Sequence, residues 1–316
     1  MEKNAWKKYD TTQLEQLEQL ANQYKQFLNT GKTERECVRE AIRQAKEAGY
    51  VDLQDIITGK KPMQSKIYAV SMDKTVALFH LGKEPLEQGI RIVAAHIDSP
   101  RLDLKQNPLY EEGGMAYLDT HYYGGIKKYQ WVTLPLAIHG VVAKKDGSCI
   151  DMVIGEQEDD PVFGVTDLLV HLAGEQLDKK GAKVVEGEAL DLLVGNKPVV
   201  GEEKEAVKKQ ILQILQQKYG MEENDFVSAE LEVVPAGKAR DCGLDRSMIM
   251  AYGHDDRVCA FASLAALLHV ADAEKTMCCL LVDKEEIGSV GATGMKSRFF
   301  ENTVAELIEL EGNYSE

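Results

Sequence analysis

Three short acidic segments constrain this chain more than any other feature: Ala94-Ala95-His96-Ile97-Asp98-Ser99-Pro100, Gly253-His254-Asp255-Asp256-Arg257 and Asp283-Lys284-Glu285-Glu286-Ile287-Gly288-Ser289. Each follows or ends an apolar run of strand length. Apolar runs that give way abruptly to polar turns read as buried strands, and in open α/β sheets the carboxyl ends of the strands are where ligands bind. The chain is therefore expected to be α/β, with its chemistry collected at one end of a sheet.

The flanking patterns agree. Residues 11–28 place Leu14, Leu17, Leu20, Tyr24 and Phe27 at helical spacing, and Thr33-Glu34-Arg35-Glu36 is a capping box opening a second helix that runs to Gly49. Residues 66–71 and 75–81 read as a strand pair turning at Asp73-Lys74, and Ile90–Ala95 as a short strand covered on both faces, with His96 at its end. A Gly-rich, aromatic loop follows, from Gly113-Gly114 to Gly124-Gly125. Residues 131–143 and 148–154 then form a hairpin around Lys145-Asp146-Gly147, helices follow at 165–178 and 202–218, and a strand at 227–234. Strands at 247–252 and 276–282 alternate with helices from Asp256 to His269 and from Ser297 to Leu310. That order implies a mainly parallel sheet with helices on both faces. The middle block separates elements that belong together, so residues 1–102 with 241–316 read as one outer domain, and 103–240 as a mostly-β domain inserted into it.

A chain of 316 residues is long enough for two cores. Its net charge of −15 argues against nucleic acid and anionic membranes as partners, because such binding needs clustered Lys and Arg. Neither a signal peptide nor an apolar run of membrane-spanning length is evident, which points to the cytoplasm. The six cysteines are scattered, with no C-x-x-C pair, and read as thiols in a reducing compartment.

His96 and Asp98 lie two apart past a strand end. A carboxylate that accepts from the far nitrogen of an imidazole fixes the tautomer of a metal-binding histidine, though a turn histidine bonded to a local carboxylate gives the same pattern. Asp255-Asp256 could bridge cations or simply cap a helix. Glu285-Glu286 supplies two adjacent carboxylates, one for a metal and one to take a proton, or else a solvated acidic turn. Together, the three segments point to most of a two-metal hydrolase site.

In combination, Lys32-Thr33-Glu34-Arg35-Glu36, Ala95-His96-Ile97-Asp98-Ser99-Pro100-Arg101, the stretch from His121-Tyr122-Tyr123-Gly124-Gly125 to Lys127-Lys128-Tyr129-Gln130-Trp131, Gly253-His254-Asp255-Asp256-Arg257 and Glu285-Glu286-Ile287-Gly288-Ser289 resemble the aspartyl aminopeptidase family, the eighteenth metallopeptidase family. The resemblance implies a zinc-exopeptidase type of fold and an enzyme that removes single N-terminal residues, acidic or neutral, from peptides with a free N-terminus. Its cofactors would be two divalent metal ions, zinc first, with cobalt or manganese as alternatives. It implies that His96 binds one metal, Asp255 bridges both, Glu286 binds the other, and Glu285 is the general base. Asp98 would orient His96, and Asp256 and His254 would stand behind the ligands. The inserted domain would make dimers that build a homo-dodecamer, in which His171 reaches a neighbouring subunit's active site. Lys127 and Lys128 are candidates for holding a substrate carboxylate.

Family members continue through a C-terminal stretch that supplies an aspartate and a late histidine, and this sequence has neither. On that count each metal is one protein ligand short of the usual three. The alternative is a noncatalytic oligomeric assembly or interaction protein. A third reading, a deacylase of N-acylated amino acids on the same scaffold, fits the loop motifs less well.

Overall fold

A computed structural model describes residues 4–312 of the chain. It divides into two compact units, Met1–Ser99 with Lys238–Glu316, and Pro100–Gly237.

The first unit is built on a five-stranded sheet in the order Val51–Asp52, Lys66–Ser71, Thr75–His80, Met277–Val282, Arg91–His96. Two-residue alternation assigns its strand side chains to two faces. Val76, Leu78, Cys279 and Leu281 face a core shared with the helices Thr11–Thr30, Glu34–Glu47 and His254–Leu268. Ala77, Phe79, Cys278 and Leu280 face a second core, shared with Leu53–Ile57 and Phe299–Leu310. Helices thus cover both faces, and the α/β class stands. The capping box at Thr33 is present, with Thr33 accepting from Glu36 N and Glu36 reaching back to the Thr33 N–H.

Several expectations need correction. The sheet is mixed rather than mainly parallel: Val51–Asp52 with Lys66–Ser71 and Met277–Val282 with Arg91–His96 are parallel, whereas Lys66–Ser71 with Thr75–His80 and Thr75–His80 with Met277–Val282 are antiparallel. A hairpin as tight as the one at Met72–Lys74 can join only antiparallel strands. Arg91–His96 is not covered on both faces; it is an edge strand among the described residues, with Arg91–Ala94 exposed. The strand expected at 247–252 is shorter, Met248–Met250, and among the described residues pairs with Arg240–Cys242 in a separate two-stranded ribbon.

The second unit carries a six-stranded antiparallel sheet in the order Cys149–Ile154, Leu136–Ala143, Ala229–Pro235, Arg101–Glu112, Met115–Tyr123, Leu192–Gly195. The helix Ala206–Tyr219 packs against this sheet, contributing Val207, Ile211 and Leu215 to its apolar core. Most of the segment read as a Gly-rich loop, 113–125, is the strand Met115–Tyr123, which forms a hairpin with Arg101–Glu112. Gly113 and Gly114 turn it with φ of 58° and 77°, the left-handed pair a tight hairpin requires. The helix expected at 165–178 is only the single turn Gly174–Leu177; Leu168, Leu169, Val170 and Leu172 before it are exposed. An apolar periodicity with no surface to bury against does not hold a helix of that length.

Candidate metal centre

The geometry begins with strand register. Val282 is paired with His96 in the parallel ladder, and Ile97 N donates to Val282 O at 2.8 Å. The two strands therefore end side by side, and the turns that follow meet. Asp98, fully buried, joins them. Its Oδ1 accepts from Glu285 N at 3.2 Å and its Oδ2 from Glu286 N at 3.1 Å. The same residue faces the imidazole, with His96 Nδ1 at 3.0 Å from the Asp98 carbonyl and 3.3 Å from Oδ1. With Nδ1–H donated to Asp98, Nε2 is the nitrogen that gives up its proton to bind a cation.

Asp255 arrives from a third element. Gly253, at φ 82°, turns the chain into the helix His254–Leu268, and a Cβ there would lie 2.1 Å from Arg257 Nη1. Arg257, 1% exposed, donates through Nε to Ile97 O at 3.1 Å and through Nη2 to Lys32 O at 2.8 Å, with its guanidinium over the Tyr252 ring. Ser99 Oγ donates to Asp255 O at 2.8 Å. The start of this helix is thereby tied to the turn after His96 on both sides. The Asp255–Asp256 peptide bond is cis.

The three ligand candidates converge. One atom each of His96, Asp255 and Glu286 lie within 4.8 Å of one another, and His96 Nε2 is 3.2 Å from Asp255 Oδ1. An imidazole and two carboxylates at this spacing suit a divalent cation such as zinc. Glu285 stands beside the group, with Oε2 at 3.8 Å from His96 Nε2. The electrostatics describe a site crowded with negative charge. Burial pulls His96 down, but the hydrogen bond and charge of Asp98, with the charge of Glu285, outweigh it and push it up to about 9. Burial raises Glu286, opposed by His96 and reinforced by Asp255, Asp98 and Glu285. Four carboxylates around one imidazole hold more negative charge than a stable apo site needs, and a bound cation relieves that excess.

The remaining residues named from sequence are not among the three converging ligand candidates. His254 is not aimed at the cluster: Tyr24 OH donates to its Nδ1 at 2.8 Å, and its Nε2–H donates to Ile249 O at 3.1 Å. Both ring nitrogens brace the loop instead. Asp256 is directed to the Cys259 thiol, whose pKa it raises through a hydrogen bond and its charge. His171 is exposed, and it and Lys127 and Lys128 belong to the other unit; Lys128 Nζ lies 5.9 Å from the centre of the Tyr122 ring.

Two positioning features escaped the sequence reading. One is Arg257. The other is Asp283, which is fully buried and staples both ends of the turn carrying the glutamates: Oδ1 accepts from Lys284 N at 2.7 Å, Oδ2 from Thr293 Oγ1 at 2.5 Å. Thr75 Oγ1 closes the network by donating to Thr293 O at 2.6 Å and accepting from Asp283 N at 3.2 Å. Burial first, then the charge of Glu34, raises the Asp283 carboxyl, against the Thr293 hydrogen bond and the charges of Lys284 and Lys74. An aspartate at the end of an apolar run was the available signal, since an acidic residue is seldom buried without partners.

A mixed α/β unit with this His, Asp and Glu cluster at adjoining strand and helix ends belongs to the metallohydrolase class. Residues 27–316 match the family of aminopeptidase I zinc metalloproteases (M18). The chain is 58% identical over 317 aligned positions to a probable M18 family aminopeptidase 1 of Clostridium acetobutylicum, covering 99% of this chain and 68% of the relative. It is 47% identical to its counterpart from Thermotoga maritima, covering 98% and 67%. The crystal structure of an M18 aminopeptidase from Thermotoga maritima superposes with a TM-score of 0.93 at 46% identity, over 100% of this chain and 68% of that one. Aminopeptidase I from Clostridium acetobutylicum superposes at 0.88 and 58% identity, over 97% and 68%. The chain belongs to the M18 family and is, with it, a metallohydrolase of the aminopeptidase kind.

Proposed function

We propose that the site is a two-metal aminopeptidase centre that releases single acidic or neutral N-terminal residues from peptides with a free N-terminus. The observation that carries this reading is the convergence of His96, Asp255 and Glu286 with Glu285 alongside. His96, Asp255 and Glu286 are the residues that would hold the divalent ions; zinc is favoured, and cobalt or manganese suits the same donors. Bound there, such a metal would supply Lewis acidity for peptide hydrolysis. Glu285 takes the proton from the attacking water and passes it to the leaving amine. Asp98 keeps His96 in the tautomer with Nε2 unprotonated and holds the backbone of both glutamates, while Asp256 and His254 secure the Asp255 loop.

On this reading the inserted unit is a dimerisation domain, and the exposed segment 168–172 carries His171 towards a second copy of the chain within a larger homo-oligomer, a dodecamer in the family. The relative solved as a dodecamer is 20% identical and shares the fold. No described helix is long and apolar enough to cross a membrane, and the six cysteines are free thiols, which fits a cytoplasmic location.

Calorimetric zinc titration after chelation, with hydrolysis of aminoacyl chromogenic substrates, tests the proposal. Tight binding of two ions per chain and turnover lost in Glu285→Gln support it. Zinc binding that is absent or only millimolar sinks it, and a preference for N-acylated over free substrates would mean a deacylase.

A further inference from the structure

The unit Pro100–Gly237 contains a cavity of about 480 Å³ that no part of the metal site uses. It lies between the sheet and the helix Ala206–Tyr219. Met152 and Leu231, both almost fully buried, are among the sheet residues that form its floor, and Ile211, Ile214 and Leu215 form its roof from one face of the helix. Its volume falls in the range of roughly 300–1,000 Å³ typical of pockets that enclose small molecules. Its walls are apolar almost throughout, and an apolar pocket favours an apolar occupant, which regains the dispersion contacts the lining lacks.

The polarity changes at one place. One turn beyond Ile214, the helix presents the exposed Lys218 at the cavity's edge. The carboxylate that feels its charge, Asp160, already accepts from the backbone N–H groups of Gly155, Glu156 and Gln157, at 3.1, 3.2 and 3.1 Å. An ammonium beside an apolar void matches an amphiphile with one anionic head. In a chain of net charge −15, a local cation is also what an anionic ligand needs in order to dock. We propose that the inserted unit binds a long-chain alkyl carboxylate, with its tail in this cavity and its head at Lys218. This site is independent of the aminopeptidase reading.

The test is calorimetric titration of the full chain with sodium dodecanoate below its micelle concentration, with dodecylammonium and dodecanol as controls. Circular dichroism would show that each variant is folded. Saturable binding of one dodecanoate per chain is expected, weakened about tenfold or more in Lys218→Glu, as loss of a charge-assisted contact would give. Leu231→Trp, which fills the floor, should abolish binding. Should that variant misfold, Ile214→Glu alters the roof from its exposed side and should abolish it instead. The proposal is overturned if binding is unsaturable, unchanged in Lys218→Glu, or equal for dodecylammonium. It is also overturned if the cavity is the seat of a second copy, seen as a dimer that Ile214→Glu dissociates while dodecanoate fails to bind.

Discussion

The metal-site turns and the helix-on-sheet layer of the inserted unit fill their interiors in opposite ways. Beneath the turns, charge is buried and partnered: Arg257 on two carbonyls, Asp98 on two amides and an imidazole, Asp283 on an amide and a threonine. Under the helix Ala206–Tyr219, the contacts are apolar and leave a void. Directional bonds fix a turn within tenths of an ångström, which a ligand set needs. Apolar packing carries no such direction and tolerates a gap at a cost that grows with its volume.

The sharpest way to break the comparison is to remove a proposed ligand. His96→Ala should lower zinc affinity by more than about a hundredfold in calorimetric titration while leaving the fold intact, because ligand donors supply most of the binding energy. Next in size is Arg257→Leu, which leaves the Ile97 and Lys32 carbonyls without their donor; a loss of about 3–5 kcal/mol is expected in urea unfolding. If the loss were under about 1 kcal/mol, the buried guanidinium would not be what holds the turn. Asp98→Asn keeps the size but alters both acceptor and charge, and should weaken zinc about 10–100-fold with a much smaller change in stability. The same substitution at Asp283, farther from the ligands, should reverse the balance, costing about 1–3 kcal/mol of stability with a lesser effect on zinc. The smallest effect belongs to the other region. Ile214→Met, at the cavity roof, should shift stability by less than about 1.5 kcal/mol, since a volume-conserving change beside a void is easily absorbed.

Much of the site was legible because its chemistry is local. His96, Asp98, Asp255, Glu285 and Glu286 stand in short motifs at the ends of strand-like runs, and residue type with position was enough to nominate them. The same logic put His254 behind the ligands without naming its partners, because Tyr24 and Ile249, which its ring nitrogens meet, are not written in the motif. Arg257 and Asp283 were passed over as functional because their partners, at Lys32 and Ile97 and at Thr293 and Thr75, are distant in the chain or lie on other turns.

Sequence by itself determined most of the helices, the turns at Asp73-Lys74 and Lys145-Asp146-Gly147, the α/β class and the candidate ligands, since periodicity, capping and turn chemistry act over a few residues. Only the tertiary structure decided that the sheet is mixed, that Met248–Met250 leaves it for a ribbon, and that 165–173 is not helical. It also decided that three turns from remote parts of the chain close to within 4.8 Å. Strand neighbours and their register are chosen by which faces can be buried together, and that is a property of the whole packed unit.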